Sequence, residues 1–414
     1  MDMWLKGRFG FGNKILLAAG FMLLFSISGC DHASMETTEV TETESKVQIA
    51  EQKDKTDEEK IINCCLELYK KAAEEDKLDD LDTIRGIAAQ LGVNGYPAVD
   101  SKNQVDMVEA AQVEQFCEIV EARDNAQLTV IKIMDSGGLI TYNLNTADGN
   151  VDVVRSYYRY QNGNLKKEEE GSYRAENWRY TEEGYLMFSG TWDSKEMFAL
   201  TLSDAEEYAA LRVKPLDETC RELNRKYLLP IGFAENNMFL VDWSEENFGE
   251  LDFYDMYDIL YPLNHSDPMP FVKTDEGNNS AVCRISKEDF EDVIMTYFKI
   301  DSETLQSKTT YDPETMTYEY RPRGIYEVEY PEYPYSEVVD FTENGDGTLT
   351  LTSSVVFPYA GDSNVYTHEV TVRQLADGGV QYVSNRILSE EKSQGAVWHT
   401  GRLPENEWKE MYGE

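Results

Sequence analysis

The chain has 414 residues, of which 78 are Asp or Glu and 38 are Lys or Arg, a formal net charge of -40 at pH 7. That acidic excess argues against nucleic acid as a partner and against attachment through basic contacts to anionic lipid. Hydrophobic residues at 41% and aromatics at 12% are enough for real cores, and the length suggests two domains.

The first ordered pattern is Ile15 to Cys30. A basic lead of Lys6, Arg8 and Lys14 flanks an apolar run that reaches Ile27, and the small residues Ser28 and Gly29 precede Cys30. This is the plan of a secretory signal. As a helix it covers about 20 Å, too short for a hydrocarbon core of about 30 Å. The ending Ile27-Ser28-Gly29-Cys30 resembles the lipobox of bacterial lipoproteins. The resemblance implies that residues 1–29 are removed and that Cys30 becomes a first residue carrying diacylglycerol, whose two chains suffice for stable attachment. The expected location is the extracellular face of the cell membrane, with the membrane as partner through Cys30. Residues 31–57 lack Phe, Trp, Tyr, Gly and Pro and are expected to be a disordered tether.

The first folded unit is expected over residues 58–205. Thr56 or Asp57 caps a helix that aligns Ile61, Ile62, Cys65, Leu68, Tyr69 and Ala72. A second helix runs from about Asp80 to Leu91, with Gly92 placed to end it. A short extended piece and a third helix with Val105, Val108, Phe116 and Ile119 follow. Six strands are then expected at 127–134, 139–145, 151–161, 165–173, 178–180 and 185–192. Ser136-Gly137-Gly138, Asp148-Gly149-Asn150 and Asn162-Gly163-Asn164 separate several of them as hairpin signals. The second unit, 206–414, repeats the plan. Helices are expected at 216–227 and 248–261, with a strand at 238–243 between them. Ser286 is set to cap a helix containing Phe290, Val293, Ile294, Tyr297 and Phe298, and four strands follow from Val338 to Leu388.

The fold class is therefore α+β: two tandem units, each of helices followed by a curled antiparallel meander. That order resembles the NTF2-like, cystatin-related cone, which implies a pocket between helices and a concave sheet. Leu223-Asn224-Arg225-Lys226-Tyr227, Asp242-Trp243, Phe248-Gly249-Glu250-Leu251, Ile294-Met295-Thr296-Tyr297-Phe298 and Tyr318-Glu319-Tyr320-Arg321-Pro322 are similar to segments of an uncharacterised lipoprotein family of Gram-positive anaerobes. That family supplies no site.

Catalytic motifs are scarce. His368-Glu369 does not continue into a zinc-protease signature, and no GxSxG or cysteine-protease signature is present. No cofactor is implied. Asp252, Asp255 and Asp258, at i, i+3, i+6 with His265 beyond, could gather a hard cation, although the same spacing also describes a solvated helix face. Tyr318, Tyr320, Tyr326, Tyr330 and Tyr333 lie among prolines in a segment that suits either ligand recognition or a structural strap. Five cysteines remain beyond Cys30: Cys64, Cys65, Cys117, Cys220 and Cys283, an odd number that cannot all pair within the chain. These features point to a non-catalytic binding or envelope-associated protein. The alternatives are a surface hydrolase using a carboxylate pair and a protein-partner or inhibitor module.

Overall fold

The structure is a computed structural model that describes residues 40–267, 282–323, 333–388 and 397–412. The signal stretch, Cys30, Tyr326 and Tyr330 lie outside the described residues.

Helix α1 (Val40–Glu74) starts well before the expected cap, so the part of the tether from Val40 onward is helical. The segment 40–57 is rich in Glu, Lys and Gln and has no Gly or Pro, so its backbone can continue a helix. Helix α2 (Leu81–Val93) is capped by Asp80, which accepts from the Asp82 amide. Strand β1 (Ala98–Asp100) and α3 (Ala110–Glu121) come next. Val105 and Val108 precede α3 instead of lying in it, and Val108 pairs with Ala98 as a bridge. The meander then follows the sequence pattern: β2 (Ala126–Met134), β3 (Gly138–Ala147), β4 (Asn150–Gln161) and β5 (Asn164–Arg174). Asp148-Gly149 and Asn162-Gly163 have positive φ at both positions, as two-residue hairpin turns require. Sheet order is β1-β2-β3-β4-β5, with β1 parallel to β2.

A second sheet contains β6 (Asn177–Tyr180), β7 (Tyr185–Trp192) and, after the short α4 (Lys195–Thr201), β8 (Ala205–Arg212). Strand β8 is absent from the sequence reading. It begins at the expected unit boundary and pairs back onto β7.

The elements from residue 216 to the closing meander share one large core. Helix α5 (Glu218–Leu223) runs into a π-helical turn (Asn224–Leu228). The strand expected at 238–243 shrinks to β9 (Trp243–Ser244), because Met238 is buried in a turn where its carbonyl accepts from the Trp243 indole at 2.9 Å. Then come α6 (Phe253–His265), β10 (Cys283–Ser286), α7 (Lys287–Tyr297), α8 (Ser302–Ser307), β11 (Tyr311–Asp312) and β12 (Thr317–Tyr320). Ser286 caps α7 as its sequence predicts, accepting from the Asp289 amide. The closing meander is β13 (Tyr335–Glu343), β14 (Thr348–Val356), β15 (Thr367–Gln374) and β16 (Val380–Ile387), and α9 (Glu405–Tyr412) ends the description. Sheet order is β13-β14-β15-β16-β9. The fold is α+β, but the fifth strand joins the last meander strand here and the first in the earlier sheet.

The β6–β8 sheet has two packed faces. Leu186, Phe188, Ala209 and Leu211 enter the core of the first meander. Tyr185, Met187 and Ala210 pack on Val356 and Tyr335 of the second. Across this second contact Arg212 pairs with Glu337, both almost fully buried, and Tyr185 donates to Glu337 at 2.7 Å. Asn103 binds the Arg212 amide at 2.8 Å and the Tyr335 hydroxyl at 2.9 Å.

Removing one partner of a buried pair strands a charge. In urea denaturation, Arg212→Met is expected to cost about 3–5 kcal/mol, most of it recovered when Glu337→Gln is added. A single-variant loss under about 1 kcal/mol would show that this pair does not hold the halves together.

Candidate functional site

Register assigns the faces of the first sheet. On one face, Ile131, Ile133, Leu139, Tyr158 and Leu165 lie in a core with Ile61, Cys65 and Tyr69 of α1 and Ile84, Ile87 and Leu91 of α2. Further along the same strands this face becomes polar. Thr129, Asn143, Val154 and Ser172 align in one row, and Gln127, Asn145, Asp152 and Arg174 in the next. The two rows floor a groove of about 680 Å³, with Asp57 of α1 also in its lining. Thr129 donates to Asn143 Oδ1 at 2.7 Å, which leaves the Asn143 amide nitrogen to the groove. Arg174 grips Asp152 through two nitrogens at 2.9 and 3.1 Å and holds that carboxyl below its usual range.

The opposite face is packed by β7, β8 and α3. The groove lies on the face that carries α1 and α2, beyond the part they cover. Within the filled face Glu207 is buried, receiving Tyr142 at 2.7 Å, Arg155 at 2.5 Å and Lys132 at 3.2 Å. Burial alone would raise its pKa, but Lys132 and Arg155 outweigh that and bring it down to about 2.

Asp252, Asp255 and Asp258 are not on a solvated face. Asp252 is the N-cap of α6, accepting from the Tyr254 and Asp255 amides. Asp255 is 1% exposed and accepts at both carboxylate oxygens from Nη2 of Arg323, with Arg402 at 2.9 Å. Arg402 also reaches Asp258 at 2.6 Å, and Tyr320 donates to Asp258 at 2.8 Å. Guanidinium groups thus take the position a cation would need, and His265 lies away at the end of α6, stacked on Tyr261. Among the described residues, no group of three or more His, Cys, Asp or Glu is placed to hold a metal ion. The sequence could not show this, because Arg323 and Arg402 come from segments 68 and 147 positions away from Asp255.

The tyrosine candidates are likewise committed. Tyr318 and Tyr320 are buried, and Tyr318 donates to Glu291 at 2.7 Å while stacking on Phe290. Tyr333 is partly buried against the same core. These three side chains pack into the core of the second half. His368 is fully buried, its Nδ1 2.7 Å from Asn385 Oδ1, and burial lowers its pKa to about 4.

The model of the family of unknown function (DUF6070) matches residues 51–402. The chain belongs to that family. No curated protein and no solved structure gives a significant match. The match spans both meanders and every residue of the groove, so the groove belongs to the family domain and not to an appended segment.

The pKa values of Asp255 and Asp258 shift in opposite directions. Burial favours the neutral acid in both, but His399, Arg402 and Arg323 outweigh it at Asp255, which ends below its ordinary value. At Asp258 burial wins over Arg402 and Tyr320, raising the pKa to about 6. A raised carboxyl pKa means the folded state holds its proton longer than the unfolded chain, so this group's contribution is lost as pH rises from about 4 to 6. Relative to wild type, Asp258→Asn is expected to gain about 2–3 kcal/mol over that interval on top of any constant offset, at 1.36 kcal/mol per unit. Urea melts at pH 4, 5, 6 and 7 measure it, and a pH-independent difference would contradict the assignment.

Proposed function

We propose that the protein is a lipid-anchored, non-catalytic binding protein of the extracellular face, and that the polar groove of the first sheet takes a neutral, hydroxyl-rich ligand such as an oligosaccharide. The groove carries this reading. Three side-chain amides, Gln127, Asn143 and Asn145, and two hydroxyls, Thr129 and Ser172, line it beside an already neutralised Asp152–Arg174 pair. Amides and hydroxyls donate and accept together, as a sugar diol requires. A net charge of -40 disfavours polyanionic ligands.

Attachment through Cys30, removal of residues 1–29 and kinship with lipoproteins of Gram-positive anaerobes belong to the same proposal. They are supported by the basic lead, apolar run and Ser28-Gly29-Cys30 ending. No helix among the described residues is long and apolar enough to cross a membrane. Helices followed by a five-stranded sheet support the NTF2-like resemblance for the first unit. A surface hydrolase draws less support: Asp255 and Asp258, an acid pair with separated pKa values, are bridged by Arg402, and Asp255 is buried.

Two experiments test the proposal. In detergent phase partition of the expressed full-length protein, the wild type is expected in the detergent phase and Cys30→Ser in the aqueous phase. Equal partition would remove the anchor. In titrations with a panel of neutral oligosaccharides, at least one is expected to bind, with Asn143→Ala weakening it about tenfold, the loss of one hydrogen bond. Binding that Asn143→Ala leaves intact would place the ligand elsewhere.

A further inference from the structure

Cys64 and Cys65 are successive residues of α1, where side chains diverge by about 100°, yet their sulfurs lie 3.4 Å apart. Cys65 is buried in the core beneath α1 and α2, while Cys64 is half-buried at its edge and donates to the Ile61 carbonyl at 3.2 Å. The pair therefore has an open member and a closed member. Their mutual hydrogen bond makes Cys64 the easier thiol to ionise and Cys65 the harder.

The separation selects the kind of centre that two such sulfurs can grip. With bonds to sulfur of about 2.3 Å, a 3.4 Å bite subtends about 95°. Linear two-coordination, which soft monovalent ions adopt between two thiolates, would require the sulfurs to spread well apart. Tetrahedral zinc would require further protein ligands, and no group of three or more His, Cys, Asp or Glu is placed to supply them among the described residues. A pyramidal trivalent centre, with bond angles near a right angle and a third position filled by its own substituent, fits both the bite and the donor count.

We propose that Cys64 and Cys65 form a two-sulfur chelate for trivalent arsenicals. Cys64 takes the first bond from the open side, and Cys65 then closes the ring. For a monosubstituted arsenic oxide, two S–H bonds and the arsenic–oxygen double bond break, and two arsenic–sulfur bonds form. The oxygen leaves as water with both thiol protons. No electrons are transferred, so neither oxidant nor reductant is needed.

Phenylarsine oxide is the probe, added to the reduced full chain under native conditions. The expected result is one bound phenylarsenic group per chain, seen as a mass gain equal to the reagent less one water, on the peptide containing Cys64 and Cys65. Ethanedithiol should reverse it. Cys64→Ser and Cys65→Ala should each weaken binding by about a hundredfold, the loss of the chelate's effective concentration. Cys283→Ser, which removes the other partly exposed thiol among the described residues, should leave it unchanged. Far-UV circular dichroism of each variant separates lost ligation from lost fold. Should Cys65→Ala unfold, peptide mapping of the wild type and Cys64→Ser still decide. No uptake by the folded chain, a label on another peptide, or full binding by folded Cys64→Ser would overturn the proposal.

Discussion

Strand β8 carries a buried charge on each of its faces, and the rest of the structure depends on both being paired. Glu207 points into the first meander, where Lys132, Arg155 and Tyr142 converge on it from three different strands. Arg212 points the other way and meets Glu337 of the second meander. An unpaired charge at either depth would be severely destabilising, so satisfying both sets the position of the β6–β8 sheet between the two large sheets. Hydrophobic contact on each face then follows from the two-residue period of β7 and β8.

That placement has a functional consequence. With α3, β6–β8 pack one face of the first sheet, and the groove lies on the face that carries α1 and α2. There α1 and α2 cover the apolar part, and Asp57 of α1 lines the groove where the strands turn polar. The acidic composition adds to the restriction. Although 78 residues are Asp or Glu, three buried carboxylates, Glu207, Asp255 and Glu337, each face an arginine, while buried Asp100 accepts from the Lys102 and Val105 amides. The interior uses acids to join elements that are distant in sequence, so Asp255 ties α6 to both the 321–323 and 397–402 segments.

Local signals were highly legible in the sequence. The hairpin dipeptides Asp148-Gly149 and Asn162-Gly163, the Ser286 cap and the alternating strands of both meanders all act through neighbours within a few residues. Strand β8 was not legible, because Ala205, Ala209 and Ala210 weaken its β pattern and its partner β7 supplies the order. The helical start at Val40 was not legible either, since low hydrophobicity in residues 40–57 says little about a helix continued from a well-packed segment. The site was less legible still. Asp252, Asp255 and Asp258 present a helical spacing that a cation or solvent could explain equally well, and the deciding arginines lie far along the chain. The groove joins side chains from four strands whose common face emerges only from the pairing register.

Localising ligand protection on the first sheet tests the central claim most directly. With the full chain held at saturation by the tightest neutral oligosaccharide of a panel, hydrogen–deuterium exchange should slow in peptides containing residues 127–129, 143–145, 152–154 and 172–174, the strand segments that floor the groove. Peptides from β13 to β16 should be unchanged. Protection confined to the second meander, with the groove strands exchanging as in the free protein, would contradict the assignment of the first sheet as the binding face.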